Sequence, residues 1–370
     1  MLLRANASSQ QPDEVRVAAI HSATEAILEP FGLATPHPEN RFRNSRVSAI
    51  AEDFVTAVLG SHDKKRTLPL AMAGTSDFPE LMDNVVRTAL LAGWEAGPRS
   101  YQRFAGTLKA GDFRPQANVR FGGLSRLRRI SEGEEIPGGS FSAYVSEIKA
   151  SRNGLMLHLT EEMLLNNNLA AVIKGAQAIG RAAASTINAA VFNVLRSNPA
   201  LSDGGALFNA TATDQSGGHA NAALVDAAIS KTSLAIGKAA MRRQCAPKSV
   251  NPLNIRPRFL IVSAEAEEDA WGVAGLPFGF GEGGSDVERY MINSGRVEIL
   301  SDPELEGSGW YLAADPVVAP VVEVAFVDGV AEPVIAAQRN FSSDALHVKV
   351  TFDFGVAPGD WRGGYKNAGA

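Results

Sequence analysis

Chemistry needs particular side chains, so the six histidines and the single cysteine are the first residues to weigh. The histidines stand at positions 21, 37, 62, 158, 219 and 347. None pairs with another His or with a Cys at metal-ligand spacing, and no HExxH pattern occurs. A metal site would have to be assembled from residues far apart in the chain, and no cofactor is implied. Cys245 follows Arg242 and Arg243. It reads either as an activated thiol or as the commoner inert Cys at a helix end. One cysteine allows no intramolecular disulfide framework, which fits a reducing compartment. A Ser-His-Asp hydrolase would want GxSxG on a strand-to-helix turn, and neither "GGSFS" nor "GGSDV" matches it. "FGFGEGGSD" (278–286) lacks the GK[ST] of a phosphate loop and reads as a surface loop. The expectation is therefore a protein that is not an enzyme.

Charge is more informative than catalytic type. The 370 residues carry a net charge of -5, too mild for a protein that coats nucleic acid through its overall charge. Its distribution is uneven. Residues 99–129 hold eight Lys/Arg against the one acid Asp112. The next stretch, "SEGEEIPGGSFSAYVSE", holds Glu132, Glu134, Glu135 and Glu147 and no base. Tyr101, Phe104, Phe113 and Phe121 interleave with the basic residues, which would suit stacking on single-stranded nucleic acid. The adjoining acidic limb points instead to self-association across opposite charges; a solvated face without a partner is the third reading. Residues 301–336 carry seven Asp/Glu and no Lys or Arg, which suggests an acidic edge kept away from DNA.

Elements must position these charges. Two extended limbs around Pro137-Gly138-Gly139 make a long β-hairpin. Residues 1–45 read as a polar arm with one short amphipathic helix (Val15 to Leu28), not expected to bury a core of its own. "SRVSAIAEDFVTAVLG" and "TSDFPELMDNVVRTALLAGWE" are helical by spacing. The longest helical pattern runs from Thr160 to Arg196, with steps of three and four from Leu165 to Val194; at about 1.5 Å per residue it would be roughly 50 Å long. Strands are expected in "RPRFLIVSA", "RVEILSD", "GWYLAAD", "VVEVAFVDG" and "LHVKVTFDF", so the second half is α+β with a mixed or antiparallel sheet. No apolar run approaches the roughly 18 residues that span a bilayer. The N-terminus lacks a secretory h-region, so a soluble, cytosolically made protein is expected.

Three segments are specific beyond their elements: "TSDFP", "NPLNIRPRFLIV" and "DFGVAPGDWRGGYKN". With the helices between them, in this order from about Thr75 to the end, the chain resembles the Mu-like group of tailed-phage major capsid proteins. The resemblance implies the Hong Kong ninety-seven capsid fold: an N-terminal arm (1–74), a peripheral domain (75–115), an E-loop hairpin (116–150), a long spine helix (151–200), an axial domain (201–340), and a peripheral C-terminal strand (341–370). It implies a shell of hexamers and pentamers around double-stranded DNA, made in the host cytoplasm and residing in the virion. Portal, scaffold or prohead protease and decoration proteins are the implied further partners, with no membrane. In that reading Glu132, Glu134 and Glu135 meet Arg126, Arg128 or Arg129 of a neighbour. Trp361 and Tyr365 anchor the last strand by burial, while Arg362 and Lys366 face a neighbouring subunit or the genome. The arm drapes over a neighbour and orders only on assembly. Residues 1–74 do not resemble the protease that many relatives carry fused ahead of the capsid segment. The family's His-rich run after "LF" is replaced here by "NATATD" from Asn209. An encapsulin-like compartment, which shares the fold, and a capsid-fused protease are the alternatives.

Overall fold

The structure is a computed structural model that describes residues 12–35, 37–45, 49–54, 77–121, 129–130, 143–160, 169–245, 251–275, 297–340 and 345–369. The chain divides into two compact units. One comprises Met1–Pro98, Asn153–Ser185 and Glu332–Phe352; the other comprises Arg99–Arg152, Thr186–Ala331 and Asp353–Ala370.

In the first unit, helix α1 (Pro12–Leu28) packs on α2 (Asp77–Glu95). Leu81, Val85, Ala89 and Leu90 recur along one face of α2 and are fully buried, which is the placement their three- and four-residue spacing dictates. Ile20, Ala23, Ile27, Phe42, Ile50 and Phe54 complete the same core. Residues expected to form a polar arm thus share a core with α2, and residues 55–74 of that expected arm lie outside the described residues. A lone amphipathic helix is marginal, but α2 gives α1 an apolar surface to cover.

The long helix is α3, Leu169–Ser197. Ser151–Thr160 form strand β4, and residues 161–168, where the sequence places the helix entry, lie outside the described set. Within the first unit α3 crosses α2 at very short range. A Cβ at Gly180 would collide with the Leu90 carbonyl oxygen, and one at Gly93 with the Gln177 carbonyl oxygen. Glycine removes the side-chain layer that normally holds helix axes apart. On the other side, strand β9 (Val334–Asn340) pairs antiparallel with Ala345–Thr351 of β10 (Ala345–Pro358), whose Val348 and Val350 enter the core. Trp94 meets Phe352 edge-on at 5.0 Å.

The second unit holds the expected strands. β1 (Gly106–Ala110) runs parallel to β8 (Val322–Val327), which pairs antiparallel with Phe354–Pro358 of β10. A second sheet orders β11 (Gly364–Asn367), β7 (Trp310–Ala314), β5 (Pro257–Val262) and β6 (Glu298–Ser301) side by side. Leu260, Trp310, Leu312 and Tyr365 bury against Leu234 and Met241 of helix α4 (Lys231–Arg243). The class is α+β with mixed sheets. In the first unit Val348 and Val350 of β10 share a core with Val172, Ile173 and Ala176 of α3, while the short last strand β11 lies beside β7. The acid-rich stretch 301–336 is also less of an edge than its composition suggests. Asp302 is buried with Ser100 and Asn188, Glu323 is buried and accepts from Asn118, and Asp315 is held by Arg258. Carboxylates taken out of water require such partners.

The glycine crossing yields a paired prediction. Gly180→Ala should destabilise by about 1–3 kcal/mol through overpacking. Gly175→Ala in the same helix, where a Cβ would meet nothing within 4 Å, should stabilise by about 0.5–1 kcal/mol. Urea unfolding of both variants checks the contrast.

Candidate assembly surface

Strands β2 (Gln116–Phe121) and β3 (Ala143–Ile148) flank the charged stretch and, among the described residues, make a sheet of two strands. Their register sets Asn118 opposite Ser146 and Val119 opposite Val145. Period-two alternation separates two faces. Ser146 and Ile148 are buried, and Asn118 Nδ2 donates to Glu323 at 2.9 Å. The other face shows water the apolar pair Val119 (50 % exposed) and Val145 (39 %). The Val145 carbonyl accepts from Ser202 Oγ at 2.7 Å, which ties the ribbon to the loop after α3. Of the residues expected to make contacts between copies, Arg129 is described and exposed. Arg126, Arg128, Glu132, Glu134 and Glu135 lie outside the described residues.

The C-terminal aromatic-basic cluster turns inward. Trp361 and Tyr365 are each 3 % exposed. The buried Arg362 donates through Nε and Nη2 to the two carboxylate oxygens of Asp360, at 2.8 and 2.6 Å. The expectation that Arg362 faces a neighbour or the genome is corrected: the side chain is buried in its own unit and held by a bidentate ion pair. Lys366 is half-buried, with Nζ 5.6 Å from the centre of the Tyr311 ring. Burial pushes its pKa down against the opposing pull of Asp226. Burial likewise pushes the Tyr311 hydroxyl up to about 12, with Arg196 opposing.

Behind this cluster lies a polar hub that sequence reasoning missed. His219 is fully buried and stacks on Trp361 with ring centres 4.5 Å apart. Its Nε2 is 2.9 Å from Asp203, and its Nδ1 is 2.7 Å from the Ala206 carbonyl. With both nitrogens engaged and no exposure, the imidazole has nothing to offer a substrate. Asn209 donates to the carbonyls of Ala206 and Gly217 and accepts from the His219 amide. Asn221 donates to the carbonyls of Leu207 and Trp361. The "NATATD" run thus supplies a loop-closing Asn. The available signal was a polar, Gly-rich loop with Asn at both ends, a composition suited to side-chain-to-backbone turns. Among the described residues no group of three or more His, Cys, Asp or Glu could hold a metal ion, and no helix is long and apolar enough to cross a membrane. Cys245 is half-buried, with Sγ 3.3 Å from the Arg243 carbonyl.

A family model described as "Phage capsid protein" matches residues 143–367, more than half of the chain. The chain belongs to the phage capsid protein family. It is a structural protein, and the matched region holds α3, the His219 hub and both ends of the Asp360–Arg362 pair. No curated protein matches this capsid chain. Three solved structures are similar to it in fold. The virus-like particle from Pyrococcus furiosus has a TM-score of 0.42 at 10% identity, over 76% of this chain and 97% of that chain. The procapsid of bacteriophage JBD30 has 0.43 at 13%, over 80% and 76%. The capsid of Ralstonia phage GP4 has 0.46 at 10%, over 74% and 92%.

In this capsid protein Asp360→Ala should cost about 3–5 kcal/mol, because it strands a buried guanidinium. Asp360→Ala combined with Arg362→Leu should recover part of that loss. Thermal unfolding of the two variants measures the difference. On the ribbon, Val119→Ser with Val145→Ser should shift folding stability by less than about 1 kcal/mol, as expected for solvent-facing positions, yet slow particle formation followed by light scattering.

Proposed function

We propose that this phage capsid protein is the major capsid protein of a tailed phage of the Mu-like group. Copies assemble as hexamers and pentamers into a closed icosahedral head around double-stranded DNA. The observation that carries the reading is the two-stranded ribbon β2–β3, which exposes Val119 and Val145. An isolated hairpin is marginal in water, and a subunit that presents one gains by laying it on another copy. The oppositely charged limbs beyond the ribbon support the same reading: Glu132, Glu134 and Glu135 of one copy meet Arg126, Arg128 and Arg129 of the next. Each contact is weak, and multivalency makes the closed shell strong. Lys366 lines a contact between copies only through the part of its stem left exposed. The work is binding, with no catalytic cycle. Portal, scaffold, prohead protease and decoration proteins are further partners, and the virion head is the location.

Negative-stain microscopy of the purified chain tests this: uniform closed particles are expected, and a small monodisperse oligomer would overturn it. Reversing the charge of Glu132, Glu134 and Glu135 together should leave subunits folded by circular dichroism and abolish particles. Normal particles from that variant would remove the ribbon-tip contact.

A further inference from the structure

Within the second unit, two patches of opposite charge stand at opposite ends of strand β5. At its N-terminal end is a groove of about 820 Å³ lined by Lys238, Arg242, Arg256 and Arg258. The one carboxylate lining it, Asp315, is already held by Arg258. Its floor is apolar, with Ile255 and Pro257, and Val318 on the rim is 67 % exposed. Burial pushes the pKa of Lys238 down, a cost that an incoming carboxylate would offset.

At the C-terminal end of β5 the sequence runs Glu265-Ala266-Glu267-Glu268-Asp269-Ala270-Trp271. Glu267–Ala270 form one helical turn that continues into a π turn at Trp271–Gly275. Trp271 is 43 % exposed, its Nε1 donating to Glu267 at 3.3 Å. An indole left in water beside four acids is the composition of an interface anchor, since Trp carries large apolar area together with a polar handle. Six residues of strand separate the two patches by roughly 17 Å, and they lie at opposite ends of it, so one chain cannot join its own groove to its own acidic turn.

We infer that the cationic groove at Lys238, Arg242, Arg256 and Arg258 receives the acidic turn Glu265–Trp271 of an adjacent copy, with Trp271 on the apolar floor. The inference rests on the capsid reading and names a contact within it. A contact between two different patches of the same chain is heterologous, and repeated with rotation it closes into a ring, the geometry a capsomer needs. A phosphate backbone would match the groove's charge but leave Ile255, Pro257 and Val318 without a partner.

Charge exchange tests the pairing. Arg242→Glu with Arg256→Glu should abolish higher oligomers in sedimentation velocity, and so should Glu268→Lys with Asp269→Lys. All four positions lie on the surface, and circular dichroism should show both variants folded. The chain carrying all four changes should assemble again. In the wild type, Trp271 emission should shift to the blue on assembly, and Trp271→Phe should remove that shift. Failure of the combined variant to assemble while folded, or unchanged assembly of either two-site variant, would overturn the pairing. So would loss of affinity for a short DNA duplex in Arg242→Glu/Arg256→Glu with assembly intact, which would mark a phosphate site. Wild-type chains that form open oligomers but no closed particles would sink the shell reading and leave this contact still measurable; a strictly monomeric wild type would sink both.

Discussion

A two-stranded ribbon has two faces, and among the described residues its own unit covers one of them. On that face of β2 and β3, Ile148 enters a small core with Ala110, Ala150, Ala325 and Ala357, and Asn118 meets Glu323. The outward face, with Val119 opposite Val145, has no intramolecular answer among the described residues. Natural monomers avoid such surfaces, and a family of capsid proteins has a use for them.

A subunit that offers unfinished surfaces must be rigid elsewhere, or association would cost the ordering of its own body. Two devices supply that stiffness. In the first unit, backbone meets backbone where Gly93 and Gly180 let α2 and α3 approach. In the second, Asn209, Asn221 and His219 close the loop after α3, alongside the buried Leu207 and Phe208. The hub reaches the C-terminal segment through the Trp361 carbonyl and the stacked His219 and Trp361 rings. Buried amides and an imidazole specify one arrangement because any other leaves them unsatisfied. Gly363, whose added Cβ would strike the Ala319 carbonyl, belongs to the same fit. A dense "GDWRGG" run is therefore the imprint of close backbone packing and an internal ion pair, and its Arg is not a surface charge.

Legibility in the sequence followed periodicity. The long helix, α2 and the strands β5, β7, β8 and β10 were readable because their apolar residues repeat at helical or strand spacing over many positions. The pairing of β2 with β3 was readable from two extended limbs around Pro137-Gly138-Gly139, a turn that itself lies outside the described residues. Three things were not. The core role of α1 depends on α2 being there to cover it, which no local pattern encodes. The inward turn of Arg362 depends on Asp360 two residues before it, and a basic residue beside aromatics reads equally well as an interface. The His219 hub gave almost no signal, since its members have no regular spacing and many of their bonds run to backbone carbonyls.

Hydrogen exchange on residues 116–121 and 143–148, followed in free subunits and in assembled particles, tests most directly whether the ribbon is completed by other copies. Exchange at these amides should slow by at least about tenfold on assembly, the equivalent of about 1.4 kcal/mol of added protection. Equal rates in the two states would mean that the ribbon finds no partner in the particle, and would contradict its role as the element that joins one copy to the next.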